Sequence, residues 1–237
     1  MRTASLGLIA GLMLGLGCAR PEVEVGEMAQ VLVLPLGDSI TQGDRGHNSY
    51  RRPLWHALNE GECRVGFVGS QRRNHWGGPP DKDFDLAHEG HWGWQVDEVL
   101  AELPHWLTLY PAPDIALIHL GSNDLFRGRR VPDILADFEA MIGVLRQRNP
   151  SMVLLVAQLI PASGMEAQVA AFNEALVRLE GLSTEASPVV MVDQFSGFDV
   201  RRMTYDGVHP NREGEERIAG RWLEVMAPFV EAVCRGR

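Results

Sequence analysis

The chain has 237 residues, 45% of them hydrophobic, which is enough to bury one core of ordinary domain size. Its formal net charge of −9 and isoelectric point near 5.4 exclude a phosphate-backbone partner, because nucleic-acid binding needs a clustered positive face. The pairs Arg51-Arg52, Arg72-Arg73, Arg129-Arg130 and Arg201-Arg202 are scattered and are expected as solvated loop charge.

Residues 1–18 differ from the rest: Arg2, an apolar stretch over 6–16, then Gly17-Cys18 and a polar Arg20-Pro21-Glu22 exit. That is the charged, apolar and small-residue order of a secretory signal, and the apolar run is too short to span a bilayer. Cys18 after that run also fits a bacterial lipoprotein signal, in which it becomes a lipidated membrane anchor, although Gly15 stands where such signals usually carry Leu. Signal peptide and lipoprotein signal remain two readings. Either one makes the protein exported, whether secreted, periplasmic or lipid-anchored at the cell envelope. Residues 19–30 read as a polar linker, and 31–237 as the folded domain.

From residue 31 the chain alternates short Val/Ile/Leu runs at 31–36, 65–68, 115–120, 152–157 and 189–192 with helical patterns at 50–59, 96–103, 134–148, 167–182 and 213–233. Apolar runs of this kind are strands buried on both faces, and their alternation with helices predicts a parallel sheet covered on both sides. The expected fold is α/β, a three-layer α/β/α sandwich around a flavodoxin-like sheet of five parallel strands. The polar, Gly/Pro-rich segment 69–90 is expected as an ordered surface loop beside a site. Cys63 and Cys234 offer one disulfide pairing in an exported protein. The other reading, a small buried residue and a frayed C-terminal thiol, stays open.

Open parallel sheets bind ligands at the carboxyl ends of their strands. Directly after the first run comes Gly37-Asp38-Ser39-Ile40, where a serine in a tight turn can present its hydroxyl while neighbouring amides face a reacting oxygen. After the third run comes Gly121-Ser122-Asn123-Asp124, and near the C-terminus Asp206-Gly207-Val208-His209. An aspartate three residues before a histidine can orient the imidazole, which then takes a serine proton. Singly, each block also reads as an ordinary turn or helix cap.

In order, these blocks and a glycine-bearing block around Gly93 resemble the four blocks of the SGNH (GDSL-type) hydrolase superfamily, over nearly all of the chain after the signal. The resemblance implies Ser39 as nucleophile, His209 as general base and later acid, and Asp206 as the group that orients the imidazole. It implies an oxyanion hole from the Ser39 amide, the Gly93 amide and the Asn123 side chain, with Asp38 and Asp124 holding loops. A finer similarity runs to carbohydrate esterase family 3, the acetylxylan esterases, through Ser49-Tyr50-Arg51, Phe67-Val68-Gly69-Ser70, Glu89-Gly90-His91-Trp92-Gly93-Trp94 and His209-Pro210-Asn211. That similarity implies hydrolysis of short acyl, chiefly acetyl, esters on carbohydrate.

Trp76, Trp92 and His91 are the candidate substrate contacts; Trp94 is expected as packing, and Trp55, Trp106 and Trp222 as core. No cofactor is implied. His88-Glu89-Gly90-His91 lacks the i, i+4 histidine spacing of a metalloprotease helix, so no metal is expected and His91 alternatively buttresses the oxyanion loop. His47, His56, His75, His105 and His119 are expected to be packed or solvated. A lipolytic esterase, thioesterase or lysophospholipase would share the same triad behind a more apolar entrance. A non-catalytic carbohydrate-binding surface protein would lack a triad member.

Overall fold

The computed structural model describes residues 31–236 together with Met1; the signal, the linker and Cys18 lie outside the described residues. The elements in chain order are β1 (Val31–Gly37), α1 (Ser39–Gln42), α2 (Arg51–Leu58), β2 (Val65–Phe67), β3 (Glu89–Gly90), α3 (Val96–Trp106), β4 (Ile115–His119), α4 (Ser122–Phe126) and α5 (Val131–Arg148). There follow β5 (Val153–Ala157), α6 (Glu166–Leu176), a 3-10 stretch (Val177–Leu182), β6 (Val189–Val192), α7 (Val200–Met203) and α8 (Arg212–Arg235).

All strand pairings are parallel, in the order β2-β1-β4-β5-β6. The five apolar runs of the sequence are these five strands. One edge of β1 has two successive partners: β2 pairs with Val31 to Val33, and β3 then takes over at Leu36 and Gly37. Chain order reverses between β1 and β4, so their carboxyl ends open a crevice, and Ser39 and Asn123 follow those two ends.

Strand side chains alternate between two buried cores. Leu34, Leu36, Ala116, Ile118, Leu154 and Val156 pack with α3, α5 and α6, whereas Val31, Val33, Ile115, Leu117, Val153 and Leu155 pack with α2 and α8. This period-two alternation on every central strand makes the three-layer sandwich. Each fully buried Leu, Ile or Phe contributes roughly 1.5–3 kcal/mol relative to exposure.

Two helix boundaries depart from the sequence expectation. The helix expected over 167–182 is α-helical only to Leu176 and tightens to a 3-10 geometry through the stretch holding Gly181. The helix expected to stop at 103 runs through Pro104 to Trp106, and the Leu107 amide still bonds the Leu103 carbonyl at 3.0 Å.

The Arg51-Arg52 pair is corrected more strongly. Arg52 is half-buried and pairs with the exposed Asp83 at 2.7 Å, but Arg51 is fully buried. Its guanidinium donates to the carbonyls of Thr41 (2.8 Å), Gln42 (2.9 Å) and Leu86 (3.1 Å), the Ser49 hydroxyl (3.2 Å) and the Asn74 side chain (2.8 Å). Burial without a carboxylate in contact pushes its pKa down to about 10. Cys63 and Cys234 form a disulfide, fastening the turn after α2 to the end of α8. Among the described residues no helix is long and apolar enough to cross a membrane.

Candidate active site

Ser39 opens α1 immediately after β1. Asp38 caps that helix by accepting the Ile40 amide at 3.0 Å. Gly37 must be glycine, since a Cβ there would collide with the Thr41 hydroxyl and the His119 carbonyl. Asp38 is fully buried; burial, with Asp124 nearby, outweighs the Ile40 amide and pushes its pKa up to about 7.

The C-terminal loop comes in from outside the sheet. His209 Nε2 lies 2.9 Å from Ser39 Oγ, and His209 Nδ1 lies 2.7 Å from Asp206 Oδ2. The other Asp206 oxygen accepts the amides of His209 (2.7 Å) and Val208 (3.0 Å). Partial burial works upward on the Asp206 carboxyl, but those amides and the imidazole win and hold it below its ordinary value. An ionised carboxylate facing Nδ1 favours the tautomer protonated there, which leaves Nε2 as an acceptor toward the Ser39 hydroxyl.

The block from Glu89 to Trp94 is tied to the nucleophile turn by backbone. After β3 pairs with the end of β1, the His91 amide donates to the Gly37 carbonyl at 3.0 Å and the Trp92 amide to the Gln42 side chain at 2.8 Å. Gly93 sits at φ 78°, a left-handed conformation that L side chains rarely adopt. From the far side, Asn123 Nδ2 donates to the Trp94 carbonyl at 3.0 Å and reaches Asp38 at 3.4 Å. Arg127 donates to the Gly93 carbonyl at 3.0 Å. Asp124 accepts the Val96 amide at 3.1 Å, capping α3, and pairs with Arg129 at 2.7 Å. Gly93, before α3, and Asn123, in α4, thus lie on segments fastened to each other and to the turn that carries Ser39.

The candidate substrate residues separate. Trp92 stacks on the His209 ring with centroids 4.5 Å apart and also on His75 at 4.5 Å. Trp76 is 72% exposed with φ 61°, a strained conformation for a bulky residue. Of the two readings of His91 its surroundings favour the brace: it is buried, stacked on Trp106 at 4.1 Å, and its Nε2 meets the buried Glu89 carboxylate at 3.0 Å. His88 is likewise occupied internally, its Nδ1 accepting the Gly90 amide at 2.9 Å. His119 is a core residue whose burial lowers its pKa to about 4.

Sequence reasoning missed a second polar group at the site. Asp44 accepts from the Tyr205 hydroxyl at 2.9 Å, the Gly46 amide at 2.7 Å and the His47 ring at 2.9 Å. The His47 and Tyr205 rings stack at 4.1 Å, and Tyr205 stacks in turn against His209 at 5.7 Å. No spacing rule links residues 44, 47 and 205. The available signal was the position of Tyr205 directly before Asp206.

A cavity of about 10 Å³, close to what one water-sized group needs, opens against the serine and the histidine. Ser39, Ile40, Gly43, Asp44, His47, Ser49, Trp92, Tyr205, His209, Pro210 and Glu215 line it. Neither Gly93 nor Asn123 lines it. A larger surface groove of about 410 Å³ by Pro104, Val144 and Arg148 contains none of the motif residues.

Known esterases resemble the chain in sequence and fold. The multidomain esterase of Ruminococcus flavefaciens is 26% identical over 227 residues, covering 85% of this chain but only 29% of that much longer protein. A carbohydrate esterase family 3 structure from Talaromyces cellulolyticus superposes with TM-score 0.76 at 31% identity, covering 85% of this chain and 99% of that one. A family 3 carbohydrate esterase from Clostridium thermocellum gives 0.73 at 27% identity, covering 86% and 98%. An acetyl esterase, crystallised as a mutant with an acetate ion, gives 0.75 at 31% identity, covering 86% and 99%. The model of the GDSL-like lipase/acylhydrolase family matches residues 36–217. With that match over most of its length, the chain belongs to the GDSL-like lipase/acylhydrolase family and is a carboxylic ester hydrolase of the SGNH type.

Proposed function

We propose that the protein removes acetyl groups from carbohydrate hydroxyls through a Ser39 acyl-enzyme. The observation that carries the mechanism is the hydrogen-bonded line from Asp206 through His209 to Ser39. Ser39 Oγ attacks the ester carbonyl carbon as its proton passes to His209 Nε2. The carbonyl oxygen becomes an oxyanion held by the Ser39 and Gly93 amides and the Asn123 side chain, whose long contact to Asp38 yields to the stronger acceptor. The imidazolium then protonates the leaving sugar oxygen as the C–O bond breaks. Water, deprotonated by His209, attacks the acyl-serine and releases acetate, restoring the Ser39 hydroxyl.

The size of the cavity beside Ser39 supports an acetyl substrate. The cavity is narrow and most of its lining is buried, which suits a small acyl group better than a sugar ring. The sugar then leaves toward open solvent, where the outward Trp76 offers a ring face to stack on it. Trp92 contributes through its stack on His209 and as part of the pocket wall.

The partner in this reading is an acylated saccharide or polysaccharide, and the charge of −9 argues against nucleic acid. Export is part of the same proposal, supported by the Cys63–Cys234 bridge because disulfides persist in oxidising compartments. The product is secreted, periplasmic or held at the envelope by a lipidated Cys18. Parallel product profiling with acetylated xylan, p-nitrophenyl esters from acetate to decanoate and a phospholipid tests the assignment. Release of acetate from xylan, with p-nitrophenyl rates falling steeply between butyrate and octanoate, is the expected result. Rates that climb through decanoate would make the enzyme lipolytic.

A further inference from the structure

We infer that His47, held by Asp44, is the wall that limits acyl length in the pocket beside Ser39; this rests on the acetyl reading above. The inner lining of the cavity is buried: Ser39, Ile40, Asp44, Ser49 and Glu215 are all under a tenth exposed. Its outer side is made of the four rings of His47, Trp92, Tyr205 and His209. His209 is the base, and Trp92 and Tyr205 both stack on it. His47 stacks on Tyr205 alone, so it is the outer wall residue that can be removed without loosening the base directly.

His47 is also fixed from several directions, as a size filter requires. Its Nδ1 meets Asp44 at 2.9 Å, its ring lies within 10° of parallel to Tyr205, and its carbonyl accepts from Asn74 at 2.7 Å. Asp44 is itself held by the Gly46 amide and the Tyr205 hydroxyl, and Asn74 is anchored by the buried Arg51. The side chain is 30% exposed and belongs to neither hydrophobic core, so shortening it widens the cavity without disturbing them.

The test compares kcat/KM for p-nitrophenyl acetate, butyrate and hexanoate in the wild-type protein, His47→Ala, His47→Val and His47→Phe, with thermal unfolding of each variant. Two added methylenes that gain a place against apolar surface favour the longer ester by about 15-fold. The butyrate-to-acetate ratio should therefore rise about 15-fold in His47→Ala and by less in His47→Val, and should stay at the wild-type level in His47→Phe, which keeps the bulk. His47→Val carries the test if His47→Ala unfolds. A wild-type preference for acetate that folded His47→Ala and His47→Val retain within twofold overturns the inference and leaves the acetyl reading standing. A wild-type enzyme that already prefers hexanoate overturns the acetyl reading, and the inference with it.

Discussion

The two halves of the catalytic line are built in opposite ways. The half carrying Ser39, Gly93 and Asn123 grows from the carboxyl ends of β1, β3 and β4, and its braces are buried: Asp38 and Asp124 are 0% exposed, and Arg51 ties the turn after Ser39 to two other segments. The half carrying Asp206 and His209 is a short loop between α7 and α8, and the Asp206 side chain is 41% exposed. It organises itself locally, one carboxylate accepting two amides and one imidazole within three residues. In the proposed mechanism the oxyanion donors must not move as charge develops, which suits groups fixed by long-range packing and buried hydrogen bonds. In the same proposal His209 has only to meet the serine in one tautomer, which a self-capped loop with rings stacked against the imidazole allows.

Four substitutions sharpen or break this contrast. Ser39→Ala should have the largest effect, a loss of turnover on the order of 10⁵- to 10⁶-fold. Thermal unfolding should barely change, because a hydroxyl is removed from a turn without opening a core cavity; residual esterase activity above about 1% would place the chemistry elsewhere. Replacing both Cys63 and Cys234 by Ser should lower stability by about 5 kcal/mol on the chain-entropy view of the 171-residue separation. Urea unfolding measures it, and kcat should stay unchanged because the bridge touches neither half of the site.

Asn123→Ala should cut kcat by about 100- to 1,000-fold with KM little altered, since its donor acts on charge present only in the transition state. A change confined to KM would move Asn123 from the oxyanion to ground-state binding. The smallest effect belongs to Glu215, which accepts the Ser49 amide at 2.7 Å behind the acyl pocket. Burial pushes its pKa up from 4.5 to about 7, so the folded state disfavours its charge and stability falls as pH rises through that interval. Glu215→Gln should match the wild type at pH 4 and exceed it by about 3 kcal/mol at pH 8. Equal unfolding curves at pH 8 would mean that the carboxylate is better compensated than its burial implies.

The same contrast governs what the sequence reveals. The five strands were legible because Val/Ile/Leu runs buried on both faces leave a local signature, and Asp206 with His209 was legible because their geometry is set within three residues. The two-residue β3 was not, since Glu89-Gly90 is a strand only because β1 lies beside it. Arg51 looked like solvated charge because its five acceptors come from distant carbonyls and polar side chains. The Asp44, His47 and Tyr205 group spans more than 160 residues and has no local pattern. His91 was left with two readings because a histidine beside Trp92 reads alike whether it faces substrate or core, and the stack on Trp106 favours the brace.

The central claim is that Ser39 is acylated during turnover, and peptide mass mapping after inactivation with a serine-directed organophosphate tests it most directly. The account predicts one adduct per chain, on the peptide containing Ser39, appearing in step with loss of p-nitrophenyl acetate hydrolysis and absent from Ser39→Ala. Complete inactivation with Ser39 unmodified, or with the adduct on another residue, would contradict it.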